Sequence, residues 1–290
     1  MNKGILLALL SSLVFSIMNA LVKLVSADIP SSEIVFFRSV IGTALIYLLM
    51  RKKKVSFSKS GVPMLALRGV LGAFYLLAYF YTISKLPLTE ASILAHLSPF
   101  FAILCASFFL KERLPKVIWI VLPAAFAGAL LVMKPFDPSA YSIYALAGIL
   151  SAVFAAGAAT SIRYLSKKHH AYEIVFYFLA TGTVVSIPLM WGQFVVPTLA
   201  DWFILVCIGA VSLAGQIFLT GAFTHENVVV VEVTRYIGIV FNAMWGLIFW
   251  LEVPDSFTVL GGALIVLSCI LLSRKKNSRL KAEKEQVKVV

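Results

Sequence analysis

The residues able to do chemistry in this 290-residue chain are ionisable and amide side chains set inside long apolar runs. Glu232, Arg235 and Asn242 recur at helical spacing, and Glu232 can pair directly with Arg235 three residues on. A charge in mid-bilayer costs about 3 kcal/mol even on permissive scales, so such residues face a cavity or a partner. The pair either fixes helix packing or offers one member to a solute or a proton. Tyr236, next in the chain, belongs to the same candidate solute-binding set.

Arg68, Gly72, Tyr75 and Tyr79 form a second stripe, in which the tyrosines make an aromatic wall with hydroxyl handles and Gly72 permits close approach. Helix packing, with Tyr79 in an interfacial belt, is the competing reading. Asn19, with Ser12, Ser16 and Lys23, and Gln216, with Ser212 and Thr220, fall on two further faces. Serines there serve packing more often than binding, whereas the Asn19 and Gln216 amides need partners in hydrocarbon.

His96 is the one histidine inside an apolar run, able to carry a proton near neutral pH or to bond a neighbouring helix. Pro99, just beyond it, has no N–H and leaves a carbonyl free to line a cavity. Arg38 reads as an anchor at the membrane surface, and Arg68, near the end of its run, either snorkels towards water or faces inward with Tyr75 and Tyr79 on its stripe. Together with Pro99 they form the structural or gating set. His169, His170 and His225 lack a spaced third ligand, and Cys105, Cys207 and Cys269 show no CxxC spacing, so neither a metal nor a cofactor is expected.

These residues are positioned by ten apolar runs: 4–25, 34–50, 62–83, 87–110, 117–133, 143–164, 173–191, 202–222, 228–250 and 257–273. Each is near the 17 to 25 residues, roughly, that span a bilayer, and helices are the only element such runs can form there. Hydrophobic residues make up 61% of the chain and charged ones 13%, with mean hydropathy +0.96, which excludes an ordinary soluble domain. The first run and the small residues at 25–27 also resemble a signal peptide. Its counterpart at 143–164 lies mid-chain and cannot be one, so 4–25 is read as a span.

That counterpart exists because the sequence repeats itself. A displacement of 140 residues carries Glu33 onto Glu173, Lys23 onto Arg163, Phe101 onto Phe241 and Glu112 onto Glu252, without a gap. The reading is two repeats, 1–135 and 141–273, followed by a basic tail, 274–290. With the N-terminus inside, the cations fall almost wholly on inner loops, including Arg51 to Lys54, Arg163, Lys167 and Lys168. Five spans per repeat then turn the second copy upside down. The expected fold is an all-α membrane protein with ten transmembrane helices arranged as two inverted five-helix repeats. It lies in the cell's inner (plasma) membrane with both termini cytoplasmic. The net charge of +12 matches an anionic inner leaflet as its partner and not nucleic acid.

The stretch from His96 to Pro115, with Glu112 near its end, resembles the fourth-helix signature of EamA-type members of the drug/metabolite transporter superfamily. The stretch from Tyr236 to Pro254, ending Phe-Trp-Leu-Glu252-Val-Pro, resembles its ninth-helix partner. Arg38 and the Arg68-Gly-Val-Leu-Gly segment also look like this family, while Lys111 and Leu251 stand where a glycine usually precedes the motif glutamate. The resemblance implies a ten-helix carrier with a central cavity and no particular substrate.

No nucleophile elbow, HExxH, phosphate-cradling loop or in-span aspartate pair is present, so an enzyme is not expected. The function read from the sequence is secondary-active transport of a small organic metabolite, anionic, zwitterionic or aromatic, by alternating access, as an exporter. Glu232 or His96 would supply proton coupling. A ten-helix channel or a receptor would show the same hydropathy and is the alternative. Glu112 and Glu252 read as loop or capping residues.

Overall fold

In the computed structural model, the residues described are 3–58, 60–98, 100–102, 118–133, 141–226, 228–268 and 270–271. Among them every regular element is helical. They are α1 (Lys3–Val25), α2 (Ser31–Lys52), α3 (Val62–Lys85), α4 (Leu88–Ala95), α5 (Ile118–Met133), α6 (Tyr141–Leu165), α7 (Ala171–Met190), α8 (Leu199–His225), α9 (Val228–Thr234), α10 (Ile237–Trp250) and α11 (Ser256–Ser268). A single 3₁₀ turn, Trp191–Gln193, follows α7.

Among the described residues, seven segments are long and apolar enough to cross a membrane: α1, α2, α3, 143–165, 171–193, α8 and 230–250. The other three expected spans, 87–110, 117–133 and 257–273, each run into residues outside those described.

Helix ends follow local chemistry. Thr198 and Asp201 form a capping box at the start of α8, the Asp201 carboxylate accepting the Thr198 N–H at 2.9 Å. The end of α10 turns through Leu251 in the left-handed region (φ 53°), with the Glu252 N–H donating back to the Gly246 carbonyl at 3.1 Å. The left-handed turn explains why the family pattern favours glycine there, the residue without a Cβ to clash.

Two expected spans are not continuous helices. The chain turns at His96–Leu97 after α4 and at Arg235–Tyr236 between α9 and α10, positions that the 140-residue displacement carries nearly onto each other. At both turns i→i−3 bonds replace helical ones: Leu97 N–H to Leu94 O at 3.2 Å, and Gly238 N–H to Arg235 O at 2.8 Å. Backbone so interrupted at membrane depth is tolerated where it lines a cavity or is buried in protein.

The packing is reciprocal. α1 lies along α8, α3 along α6, and α2 along α7. The displacement converts the first pair into the second, α1 becoming α6 and α3 becoming α8. Glu33 at the start of α2 accepts the Val195 N–H from the α7–α8 connection at 3.0 Å. Its counterpart Glu173 at the start of α7 accepts the Ser58 N–H from the α2–α3 connection at 2.7 Å. The surface carries large apolar side chains such as Leu48, Val184, Leu189, Phe203 and Phe249 in place of the polar coat of a water-soluble protein.

Candidate functional site

A cavity of about 70 Å³ lies among α1, α3, α4, α6, α7, α8, α9 and α10. Its walls include Asn19, Arg68, Tyr75, Tyr79, His96, Gln216, Glu232, Arg235 and Asn242, so most residues singled out from the sequence come together around one space. Several waters fit it, whereas a drug-sized ligand needs roughly 300 Å³ or more. Admission of a ligand of that size would require these walls to part.

The floor of the cavity is an amide hub. Asn19 Nδ2 donates to the Tyr79 hydroxyl at 3.0 Å and to Asn242 Oδ1 at 3.2 Å. Asn242 Nδ2 in turn donates to Ser92 Oγ at 3.0 Å and to the Gly238 carbonyl at 2.9 Å. Four elements, α1, α3, α4 and α10, are tied by groups whose burial makes every lost bond costly. Asn19 Oδ1 and Gln216 Oε1 remain without a hydrogen-bond partner, leaving acceptors at the cavity wall.

His96 stands where the two interrupted helices meet. Its Nδ1 lies 2.7 Å from the Ser92 carbonyl oxygen and its Nε2 lies 3.0 Å from that of Arg235. Arg235 Nη1 donates to both Glu232 oxygens, at 3.1 and 3.3 Å, and Ser98 Oγ donates to Glu232 Oε2 at 3.3 Å. Tyr75 and Tyr79 stack at 5.6 Å with their planes 11° apart. Tyr236 is buried with its ring 5.5 Å from that of His96, one layer behind the wall.

Several expectations change. Arg38 is no surface anchor: it is wholly buried, and its guanidinium carbon lies 5.4 Å from the Phe178 ring. Arg68 does not snorkel, because its guanidinium stacks on the same ring at 4.3 Å within the protein. A Cβ at Gly72 would collide with that guanidinium and ring, so this glycine makes room for a cation rather than for a helix backbone. Tyr79 is buried and bonded, away from any interfacial belt. Pro99 and Glu112 lie outside the described residues.

Glu252 does cap a helix, but the helix is α4. One carboxylate oxygen accepts the Leu88 N–H at 2.9 Å while the other pairs with Lys23 Nζ, which also donates to the Leu86 carbonyl at 3.1 Å. The sequence reading passed over Phe178, Trp245, whose Nε1 donates to Ser16 Oγ at 3.1 Å, and the small wall residues Ala155, Ala158 and Ala159. Ser92 was passed over too, although its place one helical turn before His96 could have marked it, while Phe178 carries no signal among so many phenylalanines. No group of metal-ligating residues occurs among the described residues.

The model of the EamA-like transporter family matches residues 2–134 and again 142–274. The chain is 61% identical over 277 residues to the pseudopaline exporter CntI of Pseudomonas aeruginosa, covering 95% of this chain and 98% of that one. It is 28% identical to a riboflavin transporter of Brucella anthropi, over 85% and 89% of the two chains. A solved crystal structure of a protein 21% identical superposes with a TM-score of 0.67 over 94% of this chain and 98% of that chain, which shows a shared fold. The chain therefore belongs to the EamA-like transporter family of the drug/metabolite transporter superfamily, a multi-pass membrane protein that transports small molecules.

Proposed function

We propose that the protein exports a small organic solute of the kind handled by its pseudopaline-exporting relative, by alternating access around the central cavity. Ten spans form two inverted repeats, 1–135 and 141–273, that rock against each other, with tail 274–290 and both termini on the cytoplasmic side of the inner membrane. The family match to each half and the reciprocal packing of α1 on α8 and α6 on α3 support this reading. The observation that carries it is the meeting of two interrupted helices over the cavity, where His96 on one approaches the Arg235 carbonyl of the other.

Asn19, Tyr75, Tyr79, His96, Gln216, Glu232, Arg235 and Asn242 are the proposed solute contacts, with Tyr236 joining them when the walls part, and Pro99 a gating residue. Both His96 nitrogens face carbonyl oxygens, which only accept. An imidazolium donates to both; a neutral ring donates to one and frees the other. Proton loss at His96 would thus loosen the tie between the half-helices, and Glu232, held by Arg235 and Ser98, is the neighbouring group able to take up a proton. The coupling ion of this scheme is the proton.

The test is accumulation of pseudopaline by everted membrane vesicles carrying the protein. Saturable accumulation above that of empty vesicles is expected. Accumulation no greater than in empty vesicles would reject export of this solute class.

A further inference from the structure

Two arginines have no anionic partner among the described residues. Arg38 is wholly buried and Arg68 is 3% exposed. All three guanidinium nitrogens of Arg38, and Nε and Nη1 of Arg68, are enclosed without a hydrogen-bond acceptor. Both cations rest on one phenyl ring, that of Phe178, which puts two like charges within about 10 Å of each other in low-dielectric surroundings. The nearby carboxylates among the described residues are otherwise engaged: Glu232 with Arg235 and Ser98, Glu33 with the Val195 N–H, and Glu90 with Thr258.

Such an arrangement is expensive. Breaking a buried pair so that one charge stands alone typically costs about 3–5 kcal/mol, and a ring face returns only about 2 kcal/mol or a little more when dry. Helix packing alone would be served better by apolar side chains of similar volume. The chain instead keeps both cations and clears space for one with Gly72. Arg68 and Phe178 are walls of the cavity, and Arg38 stands behind the same ring.

We infer that Arg68, backed by Arg38, is the anion subsite of the cavity and takes a carboxylate of the transported solute, with Phe178 holding the cations while the subsite is empty. A planar guanidinium offers a carboxylate two parallel N–H bonds, so the charge that destabilises the empty protein is repaid on loading. The inference rests on the proposal that this cavity is where the solute sits, and it narrows the solute class to carboxylic acids.

The experiment is thermal unfolding of the purified full chain in detergent with propionate, against propionamide, its neutral isostere, at matched ionic strength. Propionate should raise the apparent melting temperature and propionamide should not. Arg68→Met should abolish the propionate shift. Arg38→Met should move its half-maximal concentration up by about tenfold, the worth of a unit charge roughly 10 Å away at an effective dielectric of about 20, and Arg68→Lys should retain part of it. Arg38→Met should also melt higher than wild type without ligand, as removal of an unpaired buried cation requires, whereas loss of a structural anchor would lower it. Equal shifts from propionate and propionamide, or a propionate shift surviving in Arg68→Met, would overturn the subsite. The two readings fail separately. Saturable pseudopaline accumulation unchanged in Arg68→Met removes the subsite and leaves the exporter; propionate-specific stabilisation without any pseudopaline accumulation does the reverse.

Discussion

Lys23 and Glu252, 229 residues apart in the chain, are joined by an ion pair that ties the last turn of α1 to the turn after α10. The same carboxylate receives the Leu88 N–H at 2.9 Å, at the start of α4. Three elements thus converge on one acid at one end of the bundle, with both side chains of the pair less than a fifth exposed. Substituting Glu252→Gln removes the charge and should cost about 1.5–3 kcal/mol, the usual worth of hydrogen bonds to a charged group. A lowered melting temperature of the purified protein checks this.

Leu251, next to that acid, sits at φ 53° and is 81% exposed, so its side chain buries little in return for the strain. Leu251→Gly should therefore stabilise the protein by about 0.5–1 kcal/mol, glycine entering the left-handed region without a Cβ clash. The same melting assay reads it as a rise, and a fall would show that the leucine packs against something the turn needs.

Asn242 is the centre of the amide hub. Asn242→Ala should leave the Asn19 amide and Ser92 hydroxyl short of partners, costing about 1–3 kcal/mol of stability. It should also lower pseudopaline accumulation by about tenfold, as misplacement at a site does. Vesicle transport and thermal unfolding of one variant measure both effects.

Glu232→Gln keeps the shape of the residue that Arg235 and Ser98 hold, and removes its ability to exchange a proton. Flux driven by a pH gradient should be abolished while solute exchange persists. Gradient-driven flux equal to wild type would remove Glu232 from the coupling scheme.

Much of the site was legible because membrane burial makes polar residues conspicuous. Asn19, Gln216, Glu232 and Asn242 stood out against apolar runs and all line the cavity. Depth was not legible for Arg38 and Arg68. Near the ends of their runs they read as interfacial, and only the packing of α7, which brings Phe178 over both guanidiniums, shows them enclosed. The turn at His96–Leu97 had a local cue in Pro99. The turn at Arg235–Tyr236 had none, since it is held by i→i−3 bonds and by His96 from another element. The Lys23–Glu252 pair was hidden for a related reason: Glu252 read as a loop or capping residue and Lys23 as part of the polar face of its run, and nothing local says that the two meet.

The central claim, a carrier that exposes one cavity to each side in turn, is tested most directly by counterflow. Proteoliposomes preloaded with unlabelled pseudopaline and diluted into a trace of labelled pseudopaline should accumulate label transiently above its external concentration. A carrier returns loaded in exchange, and an open pore does not. Label that only equilibrates, at the same rate with or without preloading, would contradict the account.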